Sequence, residues 1–281
     1  MKFTKMHGCG NDYVYVNCLE QDIENPGELA IKVSDRHFGI GSDGLILIRP
    51  SKVADFTMAM YNLDGSEGMM CGNGIRCVAK FVYDKGLTDK THIAIETKSG
   101  IKYLDLKVED GKMLEATVDM GEVRIEAPIV VKAVEGHPVT LNKLATNPAT
   151  DAGSDEIELV SVNVGNPHAI LFVEDTKTAP VEEVGKVIEK DPAFPEGVNV
   201  EFIELIDRKT INMRVWERGS GETLACGTGA CASVVAGISR GYLEDEVTVH
   251  LLGGDLRIRY DRESKHVFMT GPATIVFEGE L

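Results

Sequence analysis

Two short stretches, MCGNG at 70–74 and ACGTG at 225–229, carry cysteines 155 residues apart, and the sequence around them recurs in the same phase. This internal duplication constrains the fold more than any other feature, because two copies of one unit must each bury a core on the same plan. Shifted by 155, Gly10-Asn11 falls on Gly165-Asn166, FTMAMYN (56–62) on INMRVWE (211–217), Glu67 on Glu222, Cys71 on Cys226, Gly74 on Gly229 and Gly86 on Gly241. A slip of one residue aligns Phe38 and Gly41 with Phe194 and Gly197 and sets Asp43 against Asn199, while a shift of 154 aligns Gly100 with Gly254. So long a period is one duplicated domain rather than a solenoid, and 281 residues suit about two domains. The seam is expected near Met120–Glu122, where EATVDM gives way to GEVRIEAP, making units of 1–121 and 122–271. The segment Thr146–Glu156, rich in Thr, Asn, Asp and Gly, reads as a loop.

Each unit reads as strands, one strong helix, then strands. YVYV (13–16) and AILFV (169–173) follow the matched Gly-Asn pairs as strand-like runs. The first helix begins at 72–75, with Ile75, Val78, Ala79 and Val82 at helical spacing and Gly86 as its stop. The second runs ACASVVAGISR to Gly241 and is small and apolar all round, so it should be buried on every side. The expected class is α+β: two similar domains, each a curved sheet wrapped round a central helix, with a cleft between them.

Composition removes several function classes. A net charge of −16 argues against nucleic-acid binding. Six cysteines, no C-x2-C pair and no histidines at zinc spacing predict neither disulfides nor a metal. No apolar run reaches the ~18 residues of a membrane span, and MKFTKMHGCGNDY lacks the apolar core of a secretory signal. A cytoplasmic location is expected.

Cys71 and Cys226 each fall at the start of their unit's helix, where unpaired N–H groups and the helix dipole favour thiolate. The neighbouring glycines let backbone approach a ligand. Cys18, Cys77 and Cys231 read as packing residues, and Cys9 as a bystander in the HGCGN turn. Two thiols facing one carbon are what stereoinversion without a cofactor needs: one as thiolate removes the α-proton, the other as thiol delivers a proton to the opposite face. Converging helix starts would stabilise the carbanion through the α-carboxylate. Asn11, Asn62, Asn73, Asn166 and Asn199 lie at turns or strand ends, as ligand groups or as turn residues. Glu217-Arg218 suits an ammonium and a carboxylate, or a solvated surface pair. His168 reads as a general base or as a histidine fixing its loop.

At these residues the chain resembles a known family. HGCGNDYV, FGIGSDG, YNLDGSE, MCGNGIRC, VNVGNPHAI, FPEGVNVEF, WERGSGETLACGTGACA and GPATIVFEG, spread from residue 3 to 279, are similar to diaminopimelate epimerases. The resemblance implies a pyridoxal-independent, cofactor-free isomerase of lysine biosynthesis that interconverts L,L- and meso-2,6-diaminopimelate. It implies a C-terminal strand, 272–281, that returns to the first domain, and a homodimer. By motif, Cys71 and Cys226 are the acid/base pair, and Gly72-Asn73 with Gly227-Thr228 hold the reacting carboxylate. Glu217 takes the reacting ammonium. Asn62, Asn166, Asn199 and Arg218 hold the distal end, with Asn11 close by. Some members carry Gln at the position of Gly44, so one side-chain contact is missing here. The rivals are a proline or hydroxyproline racemase, which also pairs cysteines, and a thiol redox sensor or anion-binding module, which needs only one.

Overall fold

The computed structural model describes residues 1–142 and 156–281. Backbone contacts divide the chain into one unit of Met1–Asp119 with Thr270–Leu281 and another of Met120–Met269. The first contains β1 (Lys2–Gly8), β2 (Asn11–Asn17), α1 (Pro26–Ser34), β3 (Gly44–Arg49), β4 (Phe56–Asn62), α2 (Gly72–Asp84), β5 (His92–Thr97), β6 (Gly100–Glu109) and β7 (Lys112–Glu122). The second contains β8 (Arg124–Ile125), β9 (Ile129–Lys132), β10 (Glu156–Asn163), β11 (Pro167–Val173), α3 (Val181–Ile188), β12 (Asn199–Asp207) and β13 (Thr210–Glu217). It continues through β14 (Gly221–Glu222), α4 (Gly227–Ser239), β15 (Glu246–Leu251), β16 (Gly254–Tyr260) and β17 (His266–Pro272). Last comes β18 (Thr274–Glu280).

The strand pairings repeat from unit to unit. β1 and β2 form an antiparallel hairpin, as do β10 and β11. β2 runs parallel to β3 after α1, and β11 parallel to β12 after α3. β3 is antiparallel to β4, and β12 to β13. The chain then crosses over the cysteine helix to a parallel partner, β5 beside β4 and β15 beside β13. The fold is thus α+β with mixed sheets in two repeated units. The expected seam falls inside a continuous strand, since β7 runs to Glu122 without the break that the change in composition suggested. Of the expected loop, residues 146–155 lie outside the described residues, and Glu156 opens β10.

Alternation along β2 sorts the first unit into layers. Tyr15 points towards α2, its hydroxyl donating to the Gly74 carbonyl at 3.3 Å, whereas Val14 and Val16 pack with Ala30 and Val33 of α1 on the opposite face. Sequence reading expected one helix per unit and missed the second. The reason is local. α1 opens on Pro26-Gly27 and is nine residues long, and α3 has eight residues with a glycine inside. That glycine has a packing cause: a Cβ on Gly185 would sit 2.5 Å from the Trp216 Cβ, so only glycine lets α3 lie this close to β13. Val181, Val184 and Ile188 of α3 then bury against Leu171, Val200 and Phe202. The small, apolar α4 is buried along nearly its whole length, as its composition requires.

The first strand of each repeated hairpin, β1 and β10, has a second neighbour besides its hairpin partner. β18 lies antiparallel to β1, with Lys2 opposite Glu280, and β9 lies antiparallel to β10, with Ile157 opposite Val131.

Candidate active site

Both cysteines are the capping residues of their helices, in nearly identical backbone frames: φ −124°, ψ 119° for Cys71 and φ −114°, ψ 110° for Cys226. The extended backbone at the cap aims each side chain beside the first-turn N–H groups. Cys71 is half-buried. Its Sγ accepts from the Gly74 N–H at 3.3 Å and lies 3.1 Å from Asn11 Oδ1, which accepts from the thiol. The Asn11 amide is held from its other end, donating to Asp43 Oδ2 at 2.7 Å. Gly72 and Asn73 are buried at the helix start. Asn62 closes β4, donating its amide to Ser66 Oγ at 3.0 Å, and is paired across the strands with Gly44. A side chain at Gly44 would begin 2.1 Å from the Tyr61 carbonyl oxygen, so this backbone admits no glutamine there.

Cys226 is buried and makes no side-chain capping bond. Its Sγ lies 3.6 Å from the Thr228 hydroxyl, and Asn166 Nδ2 donates to that hydroxyl at 3.3 Å. Burial, then the carboxylates of Glu217 and Glu201, push the Cys226 thiol well above its ordinary range. This corrects the expectation of thiolate character at both helix starts: at Cys226, desolvation and two negative charges outweigh the helix dipole. Burial likewise raises the Glu217 carboxyl, against a short hydrogen bond from Thr223. Asn199 is buried, accepting from the Arg218 N–H at 3.0 Å and donating to the Pro167 carbonyl at 3.0 Å. The Arg218 guanidinium is exposed and donates to the Glu196 carbonyl at 3.0 Å.

The first unit therefore gathers Asn11 at Cys71, and the second gathers Asn166, Thr228 and Glu217 at Cys226. Two acids were not singled out from sequence. Asp43 orients Asn11, and the fully buried Glu201 bonds His168 Nδ1 at 2.7 Å. A lone carboxylate within the buried run NVEFI was the signal for Glu201. No cluster of three or more His, Cys, Asp or Glu side chains at metal-binding geometry occurs among the described residues.

Solved structures share this architecture. The chain superposes on a phenazine biosynthesis protein of the PhzF family from Bacillus anthracis with a TM-score of 0.70 at 19% identity, covering 100% of this chain and 98% of that one. It superposes on a probable proline racemase from Agrobacterium radiobacter K84, also at 0.70, with 14% identity over 100% and 92%. The protein thus has the duplicated α+β fold of PhzF proteins and proline racemases. Within it, the sequence profile described as diaminopimelate epimerase matches residues 3–126 and 160–276. Diaminopimelate epimerases of Methanococcus maripaludis (strain C5) and Acetivibrio thermocellus are 54% and 55% identical to it, each over 100% of this chain and at least 98% of their own. The chain belongs to the diaminopimelate epimerase family.

Proposed function

We propose that this enzyme interconverts L,L- and meso-2,6-diaminopimelate by two-base proton transfer at one α-carbon. The observation that carries the reading is the pair of cysteines capping equivalent helices in nearly the same backbone frame. One sulfur, as thiolate, takes the α-proton, and the C–H electron pair passes to the carbon and its carboxylate. The other, as thiol, gives its proton to the opposite face and keeps the S–H electron pair. The configuration is inverted, and the enzyme is left with its two protonation states exchanged, ready for the reverse substrate. The α-proton of an amino acid is weakly acidic, so charge developing on the carboxylate needs fixed donors. The helix-start groups at Gly72-Asn73 and Gly227-Thr228 supply them. A thiol held protonated, as at Cys226, starts in the acid form.

Glu217 takes the reacting ammonium, whose charge offsets the cost of the buried carboxylate. Asn62, Asn166, Asn199 and Arg218, with Asn11 nearby, hold the distal amino-acid end. The reading includes a pyridoxal-independent reaction, a cytoplasmic location and a homodimer. Proton NMR of L,L-diaminopimelate with enzyme in deuterium oxide, after dialysis against chelator and with no cofactor added, tests it. Loss of the α-proton signal and appearance of the meso isomer are expected. Activity that returns only with pyridoxal phosphate, or inversion of proline in place of diaminopimelate in a parallel tube, would replace the reading.

A further inference from the structure

His168 and Glu201 are fully buried, on β11 and β12, in the layer under the start of α4. Glu201 Oε1 bonds His168 Nδ1 at 2.7 Å, while Oε2 has no hydrogen-bond partner among the described residues. A Cβ on Gly229 would lie 2.5 Å from Oε1, so the glycine lets the first helical turn pass directly over the carboxylate. On the other side of the ring, His168 Nε2 meets Asn166 Oδ1 at 3.0 Å, and Asn166 Nδ2 donates to the Thr228 hydroxyl at 3.3 Å. The chain of groups runs from a sealed carboxylate to the Thr228 hydroxyl, which lies 3.6 Å from Cys226 Sγ.

Donors and acceptors restrict this chain. An ionised Glu201 only accepts, so Nδ1 carries a hydrogen. With the Asn166 oxygen facing Nε2, that nitrogen must donate too, which requires a doubly protonated ring. A neutral ring would turn the amide over, presenting oxygen to Thr228 and withdrawing the N–H. We propose that Glu201 is a positioning residue: acting through His168, it fixes which end of the Asn166 amide faces Thr228 and the substrate. In the first unit an acid orients the amide directly and with the opposite polarity: Asp43 receives the Asn11 N–H and leaves the oxygen for Cys71. A duplicated asparagine is oriented in both copies by an acid, with an imidazole interposed in one. The titratable groups facing the pair are Glu217 from β13 and Cys226 from the start of α4.

The inference rests on the proposed role of Asn166, and its test separates the two. In the substrate-free full chain, labelled with 15N in its histidine rings, both nitrogens of His168 should carry hydrogen near pH 7, the signal being assigned with His168→Gln. Glu201→Gln should turn Nε2 into a non-protonated nitrogen. In kinetics on diaminopimelate, Glu201→Gln should raise KM about tenfold with kcat within about threefold, and Glu201→Asp should recover part of the loss. A non-protonated Nε2 in the unaltered protein overturns the proposal. So does a loss confined to kcat, which would put Glu201 in proton transfer at Cys226. Should Glu201→Gln fail to fold, the unaltered spectrum and Glu201→Asp decide alone. The ring measurement needs no turnover, so a protein that fails to epimerise diaminopimelate refutes the functional reading without touching this one.

Discussion

The starts of α2 and α4 are copies of one backbone motif in two electrostatic settings. Under Gly74 the nearest foreign atom is Ile46 Cδ1, and under Gly229 it is Glu201 Oε1. Tyr13 occupies in the first unit the position that His168 occupies in the second, and Asn62 the position of Glu217. Cys71 is half-buried and bonded to an asparagine, whereas Cys226 is buried beside the Glu217 and Glu201 carboxylates, and burial and these charges push its thiol pKa up. Duplication kept the main chain that aims each sulfur, and divergence changed what surrounds it. The lesson is that a cap position alone does not make a thiolate.

Four experiments break or sharpen this contrast. The largest effect is expected from Cys71→Ala and Cys226→Ala, each lowering kcat at least ~10^3-fold because one face of the carbon loses its acid or base. Near-normal turnover in either variant would make the symmetry of the two caps irrelevant to catalysis. Arg218 and its counterpart Leu63 come next. Arg218→Lys keeps the charge but loses the planar fork, and kcat/KM for diaminopimelate should fall about 30-fold, whereas Leu63→Ala should change it less than about twofold.

A third measurement follows alkylation of Cys226 against pH. Its raised pKa leaves thiolate scarce at neutral pH, so the labelling rate should climb as pH rises past the ordinary thiol range. Glu217→Gln removes one of the charges that raise it, so Cys226 should label faster at a fixed neutral pH, with Cys71 unaffected. Equal acceleration at both sulfurs would mean that exposure, not charge, distinguishes them. The smallest effect is on stability. Gly74→Ala presses a methyl on Ile46 and Gly229→Ala on Glu201, with a better helix former partly offsetting the crowding, so each should cost about 1 kcal/mol in thermal unfolding. Only Gly229→Ala should also disturb the His168 ring signals.

Much of this was legible in the sequence, for physical reasons that differ by residue. The 155-residue phase located both caps because close packing under each helix start demands Gly74 and Gly229, and the cysteines keep their phase beside them. The apolar α4 was readable because a helix with no polar face has one destination. What sequence reading missed was held by contacts distant along the chain. The eight-residue α3 was not read from sequence, and only the fold shows the Trp216 surface that its one glycine, Gly185, must approach. Glu201 was one acid in the apolar run NVEFI, and only the fold put it against His168. The thiol of Cys226 went astray for the same reason, since a sequence shows the helix dipole but not the burial that overrules it.

The pairing of β18 with β1 carries a consequence for synthesis. The first unit closes only when residues from 270 onward arrive, and the main chain at Leu281 bonds that of Met1 at 2.9 Å. The second unit, by contrast, is one uninterrupted stretch. A ribosome adding ~5–20 residues per second leaves β1 with one edge bare for roughly 8–30 s while the intervening 120–269 are made. The half of the chain translated first is therefore the half completed last, and an exposed strand edge during that interval is a template for wrong pairing.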